Sequence, residues 1–152
     1  MIKIGINGFG RIGRLILRAL LENYKDKIQV VAVNDLGSID TNAHLIKYDS
    51  THGTLNHSVE TSKDGFKISN QKIKVFSEKD PEKIPWNSVG ADVVLECTGR
   101  FLDKKTAQSH IKGGAKKVII SAPAKEVDFT IVQGVNSKEL KKEHNIISNG
   151  SC

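Results

Sequence analysis

The sequence predicts an α/β fold: a doubly wound, mostly parallel sheet with an antiparallel β-meander inserted at about residues 57–76. Three observations carry that prediction. Short apolar runs alternate with segments of helical period at both ends of the chain. A glycine-rich turn, Gly8-Phe9-Gly10-Arg11-Ile12-Gly13, sits where the first apolar run gives way to the first helical one. Between the two α/β halves lies a stretch that alternates apolar with polar residues and is broken by Asp64-Gly65 and Ser69-Asn70, the pattern of hairpins with one wet face.

Taken in order, residues 2–6 alternate apolar residues and read as a strand. Ile12, Leu15, Ile16, Ala19 and Leu20 recur at three- and four-residue spacing, which predicts a helix burying that face, with Arg11, Arg14, Arg18 and Glu22 on the other. Ile28 to Val33 form a second strand ending in Asn34-Asp35, and residues 39–47 a short helix. Residues 48–53 are polar and turn-rich; His44 and His52 have no metal-ligand spacing and read as structural or surface residues. Beyond the meander, Pro81 and Pro85-Trp86 bracket a turn of helix at most. A strand from Asp92 ends at Thr98-Gly99, and Asp103 is placed to cap a helix over 104–112 that Gly113-Gly114 stops. Residues 117–120 give a strand ending in Ser121. The last strands are expected at 130–132 and 145–148, with a short lysine-rich helix around 137–142 between them.

A chain of 152 residues can bury one real core, so one domain is expected. No run approaches the roughly 20 apolar residues of a membrane helix. With a strand beginning at residue 2, no signal or transit peptide is expected, and Cys97 and Cys152 give no disulfide framework. The expectation is therefore a cytoplasmic, reduced protein with no metal site. The 23 basic residues exceed the 17 acidic ones, and all but four are lysines scattered along the chain. That field favours anionic ligands. Without a ribonucleoprotein motif, zinc-finger spacing or basic helix, nucleic acid is not expected as a primary partner.

The glycine spacing is the dinucleotide-binding fingerprint of a Rossmann-type sheet. Gly8 makes the tight turn, Gly10 lets the backbone approach a pyrophosphate, and Gly13 lets the helix pack on the sheet. Free N–H groups at the helix start attract the phosphates. Asp35, 22 residues beyond Gly13, is placed to accept hydrogen bonds from an adenosine ribose. The strand ends at Gly8, Asn34-Asp35, Thr98-Gly99, Ser121 and Asn149-Gly150 are expected to share one crevice. A glycine-rich turn without a ligand is the plainer alternative, and the strand, helix, strand and acid at the required offsets weigh against it. Cys152, straight after an apolar strand, is a candidate nucleophile toward an aldehyde; from spacing alone an incidental cysteine stands level with it.

The segments Ile6–Arg14, Val33-Asn34-Asp35, Lys47–Gly53, Glu96–Gly99 and Ser148-Asn149-Gly150-Ser151-Cys152 resemble the phosphorylating glyceraldehyde-3-phosphate dehydrogenases, and the resemblance covers the whole chain. It implies an NAD-binding domain, with NAD preferred over NADP because Asp35 would face a 2′-phosphate. It also implies oxidation of a phosphorylated aldehyde with NAD and inorganic phosphate, through a hemithioacetal and then a thioester on Cys152, within a homotetramer. By the same resemblance Ser151 and Cys152 belong to the substrate-binding turn. The cofactor contacts are Asn7, Gly8, Phe9, Gly10, Arg11, Ile12, Asn34, Asp35, Lys79, Thr98, Gly99 and Ser121. Lys79 stands where the family usually carries arginine, whose planar stacking lysine lacks, and Gly150 where it usually carries alanine.

The family continues past the cysteine into a substrate domain that supplies a histidine base. These 152 residues are therefore expected to bind NAD without turnover. Erythrose-4-phosphate dehydrogenase, of the same family, is the nearest alternative, and a non-catalytic nucleotide- or RNA-binding module the more distant one.

Overall fold

In the computed structural model, which describes residues 1–151, the elements in chain order begin with β1 (Ile2–Asn7), α1 (Arg11–Asn23) and β2 (Ile28–Asn34). Next come α2 (Ile39–Lys47) and a two-stranded hairpin, β3 (Tyr48–Asp49) with β4 (Gly53–Thr54). The meander is β5 (Val59–Ser62), β6 (Gly65–Ile68) and β7 (Gln71–Phe76). After two 3₁₀ turns at Pro81–Lys83 and Trp86–Val89 follow β8 (Val93–Glu96), α3 (Lys104–Lys112), β9 (Lys117–Ile120), β10 (Phe129–Thr130) and β11 (Ile146–Ser148).

Among the described residues nine strands form one sheet in the order β10-β11-β9-β8-β1-β2-β7-β6-β5. All neighbours are parallel except β5-β6 and β6-β7. The chain builds outward from β1 through β2 and β7, then returns to lay β8 on the other side of β1. The strand order thus reverses at the β1/β8 seam, where the ends of two parallel strands diverge and leave a crevice. The meander belongs to the same sheet, because β7 pairs in parallel with β2.

From Ile4 onward β1 is buried on both faces. Ile4 and Ile6 join Phe9, Leu17, Val30, Val33, Ile46 and Phe66 in one core cluster. On the opposite face Trp86, fully buried, packs with Ala32, Val94 and Ala115, and a Cβ on Gly5 would lie 2.5 Å from its ring. Only glycine in the middle of β1 lets the indole lie on the sheet.

The helix over 11–23 forms, but it buries a different face from the one its periodicity predicts. Gly13, Leu17, Arg18 and Leu21 are buried, whereas Ile12 is 50% exposed and Ala19 also faces outward. The cause is the turn before it. A Cβ on Gly13 would run into the Gly8 carbonyl oxygen, so close packing there aims the Gly13-Leu17-Leu21 line inward. Arg18, expected on the wet face, instead donates to the carbonyls of Ile46, Lys47 and Gly53 at 2.9–3.2 Å, tying α1 to the end of α2 and to β4.

Two smaller expectations also change. The helix expected around 137–142 is a single 3₁₀ turn, Ser137–Glu139. Asn136 closes that loop on itself by accepting from Val132 N and donating to Thr130 O, and Leu140 remains 40% exposed with no apolar face to extend. The strand expected at 130–132 is two residues, Phe129–Thr130. The capping of α3 is as predicted: Asp103 accepts from Thr106 N at 2.8 Å.

Asp128 fastens this end of the sheet. It accepts from Asn145 N and Ile146 N, both at 2.9 Å, and pairs with Lys104 at 2.7 Å. Burial alone would raise its pKa, but Lys104 and the two amides outweigh it and hold the carboxyl at about 2. A depressed folded pKa means that Asp128 stabilises the fold fully above about pH 4 and loses that contribution as pH falls toward 2. Asp128→Asn should lower stability by about 1–2 kcal/mol at pH 6 and flatten the loss between pH 4 and 2. Urea midpoints across that range check it; an unchanged acid slope would contradict the assignment.

Candidate functional site

At the carboxyl ends of β1, β2 and β8 opens a crevice of about 480 Å³. It is lined by Asn7, Gly8 and Gly10 from the first turn and by Asn34, Asp35 and Leu36 after β2. Glu78 and Lys79 line it from the loop after β7, and Cys97, Thr98, Arg100 and Phe101 from the loop after β8.

The three glycines meet three different constraints. Gly8 stands at φ +91°, with the Cys97–Thr98 backbone within 3 Å of where a Cβ would be. Gly13 abuts Gly8. Nothing lies within 4 Å of a Cβ built on Gly10, so the backbone there is open to an approaching group. Gly10 caps α1 without any side-chain hydrogen bond, and the first intrahelical donor is Arg14 N to Gly10 O at 3.0 Å. The N–H groups of the first turn are thus available to an anion, with the helix dipole behind them.

Asp35 anchors the opposite wall. One carboxylate oxygen accepts from Phe9 N at 2.9 Å, the other from Gly37 N at 2.8 Å. The carboxylate therefore ties the glycine-rich turn to β2, and each oxygen keeps a lone pair for a further donor.

The floor is a buried polar network. Asn34 donates to Asn7 Oδ1 at 2.8 Å and exchanges two hydrogen bonds with the Glu78 backbone at 2.8 and 2.9 Å. Asn7 donates in turn to Glu96 Oε1. Thr98 gives Glu96 Oε2 both its N–H, at 2.9 Å, and its hydroxyl, at 2.6 Å. Four donors reach Glu96 once His110 Nε2, at 2.9 Å, is added; an ionised carboxylate accepts all four.

Of the sequence-derived contacts, Asn7, Gly8, Gly10, Asn34, Asp35, Lys79 and Thr98 line the crevice. Phe9 is buried behind it and contributes its N–H to Asp35, while Arg11 and Ile12 stand exposed at the mouth of α1. Gly99 is exposed beside Thr98 without lining the crevice. Ser121 and Asn149-Gly150 do not line it either, because they end β9 and β11, two and three strands from β1 at nearly 5 Å per strand. Ser121 reaches the wall of the crevice through its backbone, donating its N–H to the Glu96 carbonyl at 3.0 Å. Gly150 has φ +66°, a region that favours glycine over the alanine usual there. Ser151 is exposed, and Cys152 lies outside the described residues. Leu36, Glu78, Cys97, Arg100 and Phe101 complete the lining and were not singled out from sequence. Their signal is position alone, each lying beside a chosen contact or one residue beyond it.

A family model described as "Glyceraldehyde 3-phosphate dehydrogenase, NAD binding domain" matches residues 2–104. The chain belongs to this family. The match runs from β1 through the start of α3, and so includes every segment that lines the crevice. Among curated proteins, glyceraldehyde-3-phosphate dehydrogenase 1 of Bacillus cereus is 50% identical over 153 residues, covering 100% of this chain and 45% of the relative. The plasmid-encoded enzyme of Cupriavidus necator is 51% identical over 99% of the chain and 46% of its own length. That of Streptomyces coelicolor is 53% identical over 99% and 45%. The chain thus spans a little under half the length of the curated relatives it matches.

The thiol that lines the crevice, Cys97, is half-buried. Burial pushes the Cys97 pKa up to about 12; the Ser121 side chain opposes this and the Glu96 charge adds to it. The nucleophile is the thiolate, so Cys97 should resist iodoacetamide at pH 8 in the folded chain and react on unfolding. Peptide mass mapping reads this directly, and rapid native-state alkylation at Cys97 would contradict it. No group of three or more His, Cys, Asp or Glu among the described residues could hold a metal ion, and no helix there is long and apolar enough to cross a membrane.

Proposed function

We propose that the crevice at the β1/β8 seam binds NAD, as the dinucleotide half of a phosphorylating glyceraldehyde-3-phosphate dehydrogenase. The observation that carries this reading is the pairing of the open first turn of α1 with the Asp35 carboxylate across the same crevice. The residues fit the cofactor. Gly10 leaves room for a pyrophosphate, and the N–H groups of Arg11, Ile12 and Gly13 would hold it. The free lone pairs of Asp35 would accept the adenosine ribose hydroxyls, with Leu36, Lys79 and Phe101 enclosing the adenine side.

When bound, NAD supplies a hydride acceptor. Cys152 would supply the thiolate that attacks the aldehyde carbon of glyceraldehyde 3-phosphate and carries the acyl group as a thioester until inorganic phosphate releases it. Ser151 would position the same substrate-binding turn. The relatives' extra length leaves room for the remaining catalytic groups, so residues 1–152 by themselves would bind NAD and oxidise no aldehyde. The homotetramer and cytoplasmic setting implied by the family resemblance go with this reading.

NAD should be preferred over NADP. A 2′-phosphate would meet the Asp35 carboxylate, whose oxygens are already committed to Phe9 and Gly37 and cannot swing away without releasing them. Losing a charge-assisted hydrogen bond there is worth about 1.5–3 kcal/mol, roughly a 10- to 150-fold preference. Titration calorimetry with the two cofactors tests this, and equal affinities would remove Asp35 from the ribose site.

A further inference from the structure

The Glu96 carboxylate leads away from the crevice as well as into it. Beyond it His110, fully buried, offers Nε2 to Glu96 Oε1 at 2.9 Å, and its Nδ1 lies 3.0 Å from Trp86 Nε1. An indole N–H can only donate, so Nδ1 must accept and the Nε2 nitrogen carries the imidazole proton. The tautomer is therefore fixed by Trp86, at the end of the path away from the crevice, and an N–H points at the carboxylate. Oε1 receives that N–H together with the Asn7 amide, while Oε2 receives Thr98. Asn7, Thr98 and, through Asn7, Asn34 all line the crevice, so three lining side chains take their orientation from one buried carboxylate.

We propose that Glu96 and His110 are positioning residues for the dinucleotide crevice. The His110 Nε2–H holds the carboxylate in the rotation that sets Asn7 and Thr98, and Asn7 sets Asn34 and the Glu78 backbone beside Lys79. Neither residue lines the crevice. The inference rests on the crevice being an NAD site and adds what holds its floor in register. It also makes Trp86, the chain's one tryptophan, a reporter at the end of a continuous hydrogen-bonded path from the crevice.

Two substitutions at one position separate positioning from plain stability. In His110→Asn the amide oxygen can take the place of Nδ1 and still accept from Trp86, but nothing reaches Glu96. In His110→Gln the amide nitrogen can take the place of Nε2 and still donate to Glu96, while the Trp86 partner is disturbed. NAD titrations of the 152-residue chain, at a temperature where both variants are folded by circular dichroism, should show binding weakened roughly tenfold in His110→Asn and held within about twofold in His110→Gln. Affinities equal to each other, or falling in step with melting temperature, would overturn the inference and leave the NAD site standing. A wild-type chain that binds no NAD would overturn both. If His110→Asn does not fold, the wild-type chain decides: the single indole N–H resonance should shift on saturation with NAD, and an unmoved resonance would overturn the coupling.

Discussion

Replacing Asp35 by asparagine is expected to weaken NAD binding by about one to two orders of magnitude while leaving the chain folded. The carboxylate accepts from Phe9 N and Gly37 N, one on each oxygen. An isosteric amide has one acceptor oxygen and one NH₂, so either rotamer sets a donor against a backbone donor. The turn that presents Gly10 would lose its tie to β2, and the ribose would lose one of two charged acceptors. Each charge-assisted bond is worth about 1.5–3 kcal/mol. Asp35 is only half-buried, so the effect on global stability should stay near 1 kcal/mol or below. Calorimetric titration alongside thermal melting separates the two. Unchanged affinity would show that Asp35 neither touches the ligand nor sets the turn that receives it.

Glu96→Ala should have the largest effect on stability. The side chain is 1% exposed and receives hydrogen bonds from Asn7 Nδ2, Thr98 N, Thr98 Oγ1 and His110 Nε2. Removing the acceptor strands these donors in the interior at about 1–3 kcal/mol for each one that finds no water. A loss of at least about 3 kcal/mol is expected, a large share of the 5–15 kcal/mol typical of a domain. Urea unfolding followed by Trp86 fluorescence measures it. A loss below about 1 kcal/mol would show that water or a shifted His110 replaces the carboxylate without penalty.

The fold was largely legible because local signals agreed with one another. Ser38 and Asp103 cap helices where the pattern starts them, and Gly113-Gly114 stops α3 where it should. The meander's polar alternation placed β5 to β7, and β2 and β8 are apolar runs as a buried parallel sheet requires. The face of α1 was misread for a reason that periodicity cannot show. Gly13 carries no hydrophobic weight, yet its contact with Gly8 decides which side of the helix meets the sheet. Arg18 was misassigned because a guanidinium looks like a surface group until the carbonyls it satisfies are in view.

At the site, Gly8, Gly10 and Asp35 could be read from spacing, since turn geometry and chain length between strands are local quantities. The Glu96–His110–Trp86 path could not. It joins residues 10 to 24 positions apart that only the sheet brings together, and each of them alone reads as an ordinary strand or helix residue. Ser121 and Asn149-Gly150 end strands correctly, but those strands lie too far along the sheet to line the crevice itself.

NAD is expected to occupy the β1/β8 crevice, against the open first turn of α1 and Asp35. Mapping backbone amide shifts of the isotope-labelled chain during an NAD titration tests it most directly. The prediction is saturable shifts concentrated at Gly8, Gly10, Arg11, Ile12, Asp35, Lys79 and Thr98, with β5 and β6 unmoved. Shifts centred elsewhere on the sheet, or none at saturating NAD, would contradict it.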